Sequence, residues 1–330
     1  MTYEPNRPVC NYEGSAYRTD FWGAGRDYED EAERAALQHL LPSTGTRLID
    51  IGGGYGRLVP LYSGYKEVVV FDYALSQLRQ AQELWGTGGT NGHPHYVYVA
   101  GDFYRLPFAP SAFDTVVMVR TLHHAVDAPS VLHGISQILA PHGSFVLEFA
   151  NKRNLKAIIR YLVRRQDWSP FDREPVEFVS LNFDFHPDWI EDVLSEEELR
   201  ICTRRAVSTF RLGLLKRLLP TSFLVMLDRL CQPMGGVFPL SPSVFLRAEA
   251  EFETEFESEH PPADPLFRCT ACGSIHLSET ATEISCVACD TSFPKQNGIY
   301  NFKAPVPGAP EAVTALSPPA PGSTERSREH

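Results

Sequence analysis

Leu48-Ile49-Asp50-Ile51-Gly52-Gly53-Gly54-Tyr55-Gly56-Arg57-Leu58 is the stretch on which the reading of this chain turns. Leu48, Ile49 and Ile51 make the short apolar run that a strand buried on both faces needs. Glycines break it at once, and an amphipathic segment begins at Tyr55. The pattern predicts a strand, a tight glycine turn and a helix. Such a turn lets a ligand approach the backbone closely, and a helix start offers unpaired N–H groups.

The glycine spacing separates two cofactor classes. A dinucleotide fingerprint places glycines at the first, third and sixth positions. From Gly52 the sixth position is Arg57, and from Gly53 the third is Tyr55, so neither register fits. What fits is an acid followed by alternating glycines: Asp50, Gly52, Gly54 and Gly56. This series resembles motif I of the class I S-adenosylmethionine-dependent methyltransferases. The resemblance implies S-adenosyl-L-methionine as cofactor, with Asp50 acting at its amino-acid end, where the ammonium suits a carboxylate.

Val68-Val69-Val70-Phe71 reads as a second buried strand ending at Asp72. Ligands of open α/β sheets bind beyond the carboxyl ends of the strands, where an acid can accept from paired ribose hydroxyls. Asp72 is expected in that role; the alternative is the N-cap of a helix over 74–84. A third strand over 96–100 leads into Gly101-Asp102-Phe103. In the resembling family an Asp at this point accepts from the adenine amino group, and the next residue lies against the ring. Residues 113–118 and 144–149 give strands four and five. The resemblance covers 48–150 and reaches about 250 by pattern alone. It implies an α/β, Rossmann-like, seven-stranded methyltransferase sheet. Its sixth strand is expected at 206–210, after a helix over 188–205. The last strand would run from Val244 to Phe252, its row of glutamates discouraging edge pairing.

Methyl transfer is an in-line displacement from an activated sulfonium, so positioning suffices unless the acceptor must lose a proton. After strand four come Arg120, His123 and His124, the catalytic candidates. Either histidine would be the base; Arg120 would pair with a carboxylate of cofactor or acceptor. Residues 119–122 lack the Asn/Asp-Pro-Pro-aromatic motif of enzymes acting on exocyclic base amines. They also lack the cysteine that RNA cytosine C5 chemistry needs. The leading expectation is a small-molecule acceptor methylated on oxygen or carbon. A tRNA, rRNA or protein acceptor, or a non-catalytic cofactor-binding scaffold, are the alternatives.

A length of 330 residues suggests two domains, or one with an appendage. The formal charge of −11 weakens a nucleic-acid reading. No apolar run reaches membrane-spanning length and no leader pattern opens the chain, so a cytoplasmic protein is expected. Oligomeric state leaves no signature. Residues 1–45 read as an arm and a helix from Asp27 to Leu41, and the aromatics of residues 1–28 (Tyr3, Tyr12, Tyr17, Phe21, Trp22, Tyr28) suggest either an arm packed on the core or a lid. Within a methyltransferase domain over 46–250, residues 151–235 form an acceptor-side insertion. There Leu155, Ile158, Ile159, Leu162 and Val163 share one helical face, expected to pack over the sheet, while Lys152, Arg153, Lys156, Arg160, Arg164 and Arg165 crowd the rest as a solvated face; the alternative is docking of an anionic acceptor, a membrane surface or RNA.

After a linker at 251–265, Cys269-x-x-Cys272 and Cys286-x-x-Cys289 stand 13 residues apart. Four thiolates so spaced can close a tetrahedral, structural zinc site in a ribbon over 266–303. Residues 292–300 resemble the end of the small zinc-ribbon proteins that activate tRNA, rRNA and protein methyltransferases. The resemblance implies a methyltransferase partner supplied in cis, on a tether, by a module that folds separately. Residues 304–330, rich in Pro, Ala, Gly and Ser, read as a disordered tail.

Overall fold

A computed structural model describes residues 8–23, 25–89, 92–251, 265–303 and 305–306. Tyr3, nearly all of the expected linker and nearly all of the expected tail lie outside the described residues.

Helix α1 (Asp27–Leu40) delivers the chain to β1 (Gly45–Ile51), then β2 (Tyr65–Asp72), α2 (Leu75–Trp85), β3 (His95–Ala100) and β4 (Phe113–Met118). Next come α3 (Ala128–Ile138), β5 (Leu139–Ala150), α4 (Leu155–Leu162) and a hairpin of β6 (Val176–Val179) and β7 (Asn182–Asp184). The chain continues through α5 (Pro187–Glu196), β8 (Leu199–Val207), α6 (Gly213–Leu218), α7 (Thr221–Cys231) and β9 (Ser243–Ala250). Four short strands close it: β10 (Leu277–Glu279), β11 (Glu283–Cys286), β12 (Ser292–Gln296) and β13 (Ile299–Asn301).

The main sheet follows the order β3-β2-β1-β4-β5-β9-β8, parallel from β3 to β5, with β9 antiparallel to both its neighbours. This is the expected Rossmann-like methyltransferase sheet. Alternation along each strand feeds two cores: Ile49, Ile51, Val69 and Phe71 face one, Leu48, Val68 and Val70 the other. The order reverses between β1 and β4, so the carboxyl ends of β1, β2 and β4 splay around a crevice.

Several expectations are corrected. No α-helix follows the glycine turn; the connection contains only a 3₁₀ turn, Val59–Tyr62. Pro60 has no N–H for an i→i−4 bond, and 13 residues between β1 and β2 leave little room for a longer helix. The expected helix over 188–205 ends at Glu196, and the remainder is β8, where Leu199, Ala206 and Val207 are buried. Strand β9 is not an edge: β5 and β8 flank it, and Glu249 and Glu251 face Arg200 of β8 at 3.9 and 2.5 Å. Helix α4 exposes the apolar face expected to pack on the sheet, and only Ala157 on it is buried.

The largest correction concerns the ribbon. Strand β13 pairs in parallel with β3, with Ile299 opposite Tyr98 and Asn301 opposite Ala100. The sheet thereby gains β13, β12, β11 and β10 and has eleven strands among the described residues. Phe267 stacks on Phe108 at 5.8 Å, and Phe293 and Phe302 join the same core as β1 and β5. The ribbon is docked through backbone and core rather than held only by a tether.

Candidate active site

The crevice holds a cavity lined by the glycine turn (Gly52, Gly54), the end of β2 (Asp72, Tyr73), the end of β3 (Gly101, Phe103) and Arg120, Thr121, His123 and His124 after β4. Cys10, Tyr12, Tyr17 and Phe21 of the N-terminal arm close it from outside. Tyr17 and Phe21 stack at 5.1 Å, and Arg26 and Arg57 lie over Phe21 and Trp22 at 3.7 and 3.9 Å. These cation–π contacts hold the arm down on the site.

The glycines differ in what requires them. All three have positive φ. A Cβ on Gly52 would stand 2.0 Å from Thr121 Oγ1, and one on Gly56 2.7 Å from Trp85 Nε1. Those two glycines permit close packing. A Cβ on Gly54 (φ +54°) would meet nothing nearer than Asp72 Oδ2 at 3.9 Å, so it would project into the cavity.

Asp72 accepts from the Gly54 N–H at 2.9 Å through Oδ2 and from the Ala74 N–H at 2.8 Å through Oδ1. It therefore fastens the turn before α2 and faces the cavity at once, since each oxygen keeps a second lone pair. Burial pushes its carboxyl up to about 6 despite these donors. Asp50 is buried beneath the turn, accepts from the Tyr62 hydroxyl at 2.9 Å and is pushed up to about 7 by desolvation. It opens onto a smaller adjoining cavity shared with Gly53, Arg57 and Arg120. Asp102 accepts from the Tyr104 N–H at 2.9 Å, and it is Gly101 and Phe103 on either side that line the main cavity.

Arg120 sits at φ +56°, a conformation rare outside glycine. Its N–H donates to Glu148 Oε2 at 2.8 Å, and its guanidinium grips Glu33 of α1, which is fully buried. Arg57 holds the other oxygen of Glu33 at 2.8 Å and also pairs with Asp30. Arg120 is thus anchored inside the protein before any ligand arrives. Glu33 was not singled out from the sequence. The signal lay in α1, where Glu29 and Glu33 share helical spacing with Ala32, Ala36 and Leu40.

The two histidines part company. His124 is buried; its Nδ1 lies 2.9 Å from the Leu181 carbonyl and its Nε2 3.1 Å from the Tyr12 hydroxyl. Only a proton on Nδ1 satisfies both contacts, leaving Nε2 to accept from Tyr12. His123 lines the cavity and has no hydrogen-bond partner among the described residues. Burial, with His124 and Arg120 nearby, drives its pKa well below the usual imidazole range, so it is neutral.

At the far end, Cys269, Cys272, Cys286 and Cys289 converge with all sulfurs within 4.8 Å. The Cys269–Cys289 and Cys272–Cys286 Sγ separations are 3.7 and 3.5 Å. A zinc–sulfur tetrahedron with bonds of about 2.3 Å has edges of about 3.8 Å, so the donor set suits that ion. The ribbon also reaches the cavity's rim: Lys303 Nζ lies 4.6 Å over the Tyr73 ring.

Residues 49–147 match the family described as "Methyltransferase domain". Curated relatives include the ubiquinone/menaquinone biosynthesis C-methyltransferase UbiE of Vibrio cholerae, 27% identical over 161 residues, covering 44% of this chain and 59% of that protein. An O-methyltransferase of Penicillium expansum is 27% identical over 36% of this chain and 43% of its own length. The matches thus span about half of these relatives. Among solved structures, a complex between the Haloferax volcanii Trm112 methyltransferase activator and its methyltransferase aligns with a TM-score of 0.50 at 16% identity. That alignment covers 72% of this chain and 97% of the other; it supports the fold alone. Residues 49–147 are thus similar to the methyltransferase-domain family, and they lie on a Rossmann-like sheet.

Proposed function

We propose that this protein is an S-adenosylmethionine-dependent methyltransferase acting on oxygen or carbon of a small-molecule acceptor. The observation that carries the cofactor is Gly54, whose absent side chain opens the cavity directly beside the Asp72 carboxylate. Asp72 would take the ribose, Phe103 and Asp102 the adenine end. Asp50 would face the ammonium, and Arg57 with Arg120 the carboxylate of the methionine moiety. Bound there, the cofactor supplies a methyl group already activated on a sulfonium.

The rest falls to the chain's own side chains. The aromatic arm excludes water, which strengthens every charge interaction inside. The Glu33 and Glu148 contacts fix Arg120, and the Leu181 and Tyr12 contacts fix His124. His123, neutral and unpartnered, is the group that can take a proton from an acceptor hydroxyl or carbon acid. Four cysteines would hold a structural zinc, with no open coordination position for catalysis. A macromolecular acceptor is the second reading, favoured only by the ribbon's resemblance to activators of tRNA, rRNA and protein methyltransferases.

The test is calorimetry with S-adenosylhomocysteine and with NAD. Binding of the first without comparable binding of the second supports the assignment, and the reverse result removes it.

A further inference from the structure

A second cleft, of about 1180 Å³, opens in the insertion beside the cofactor cavity. Leu155, Ile159, Phe178, Leu212, Met234 and Phe238 line it, and each is more than half exposed. So many large apolar side chains gathered in one cleft mark a binding surface rather than scattered surface hydrophobics. Lys156, Arg160 and Arg165 share the same walls, and none has an ion-pair partner among the described residues. The acids in the lining are Asp167 and Asp184, and burial pushes the Asp184 carboxyl up to about 6.

We infer that this cleft is the tail site of the methyl acceptor, and that the acceptor is an amphiphile combining a long aliphatic chain with an anionic group. The apolar walls take the chain, and Lys156 and Arg165, with Arg160 beside Asp184, take the anion. The hairpin β6–β7 contributes side chains to both this cleft and the cofactor cavity. Its Phe178 and Asp184 line the cleft, its Asn182 lines the cavity, and the Leu181 carbonyl holds His124. An acceptor lying past the hairpin places its head at His123 and leaves its tail in the cleft. A second copy of this chain fits less well. A symmetric contact through this face would bring two copies of the same net-positive lining together. The acceptor role rests on the methyltransferase reading; the tail site rests on the cleft.

The test uses the full chain and dodecyl phosphate below its micelle concentration, read by tryptophan fluorescence. Trp168, in the cleft wall, is the reporter, and Trp168→Phe should remove the signal. The expected result is saturable binding, weakened at least tenfold by the pair Lys156→Gln and Arg160→Gln and again by Ile159→Asp. Dodecanol and ethyl phosphate should each bind at least tenfold more weakly. Lys156, Ile159 and Arg160 are exposed, and thermal unfolding of each variant confirms that the fold is kept, with S-adenosylhomocysteine calorimetry run beside it. Cofactor binding without a dodecyl phosphate response, or a response indifferent to the substitutions, overturns the tail site and leaves the methyltransferase reading standing. Amphiphile binding without cofactor binding removes the acceptor role. Co-sedimentation with phosphatidylglycerol vesicles in the absence of monomer binding would make this face a bilayer-docking surface instead, and overturns the proposal.

Discussion

Gly54 has open space where a side chain would begin, so Gly54→Val should abolish S-adenosylhomocysteine binding, together with the stability loss that a β-branched residue at φ +54° brings, and Gly54→Ala should weaken binding with less strain; retained affinity in calorimetry would contradict it. Asp72→Ala should weaken binding by roughly 1–3 kcal/mol, the scale for hydrogen bonds to a charged acceptor. The raised carboxyls give a pH signature. Folding favours the protonated form of Asp50, so its contribution to stability is full below the ordinary carboxylate range and is lost as pH rises through about 7. A cationic ligand has the opposite preference, for the ionised form. Cofactor affinity should therefore rise as pH climbs from 5 to 7, with proton release on binding, and Asp50→Asn should flatten the profile. Calorimetry in buffers of different ionisation heat measures both. At the histidines, His123→Gln should cost about 10²-fold or more in turnover with cofactor affinity kept, the range for a lost general base. His124→Gln should act instead through the arm, raising mobility at Tyr12. Equal turnover in wild type and His123→Gln would leave positioning as the whole account.

Strand β13 and the aromatics behind it make the ribbon part of the main fold. Phe293 is fully buried and meets Phe302 at 4.7 Å, so Phe293→Ala should cost about 3–5 kcal/mol. Because the core is continuous from Phe293 through Phe267 and Phe108 to the central strands, denaturant unfolding of that variant should show a single shifted transition. Two transitions, with the later one unmoved, would instead mark an independently folding ribbon. Removal of the ribbon would also bare the edge of β3, an unpaired row of backbone donors and acceptors that invites aggregation.

Across the whole molecule, the four-cysteine cluster sits in a module joined to the candidate cofactor cavity by the β13–β3 pairing and by Lys303 over Tyr73. Loss of metal binding would cost the four-cysteine module about 10–16 kcal/mol, the scale for structural zinc, so it should not survive chelation. A strong chelator is expected to lower the midpoint of the main thermal transition. It should also weaken, without abolishing, S-adenosylhomocysteine binding, because Lys303 leaves the rim beside Tyr73. Lys303→Ala should reproduce the second effect and not the first. Metal analysis of the purified protein, followed by thermal scans and calorimetry before and after chelation, checks each step.

Local chemistry carried much of this in the sequence. The apolar run, the alternating glycines and the acids at 50 and 72 marked out one wall of the crevice, because strand period and glycine geometry are properties of a few adjacent residues. Cysteine spacing placed the four-sulfur cluster for the same reason. Long-range pairing was not legible. Whether β13 finds β3, whether β9 lies at an edge, and whether α4 hides or shows its apolar face depend on which surfaces remain uncovered once everything else has packed. Nor could the string tell His123 from His124, two neighbours with one chemistry. That division is made by Leu181, 57 residues later, and by Tyr12, 112 residues earlier, whose contacts occupy one ring and leave the other free.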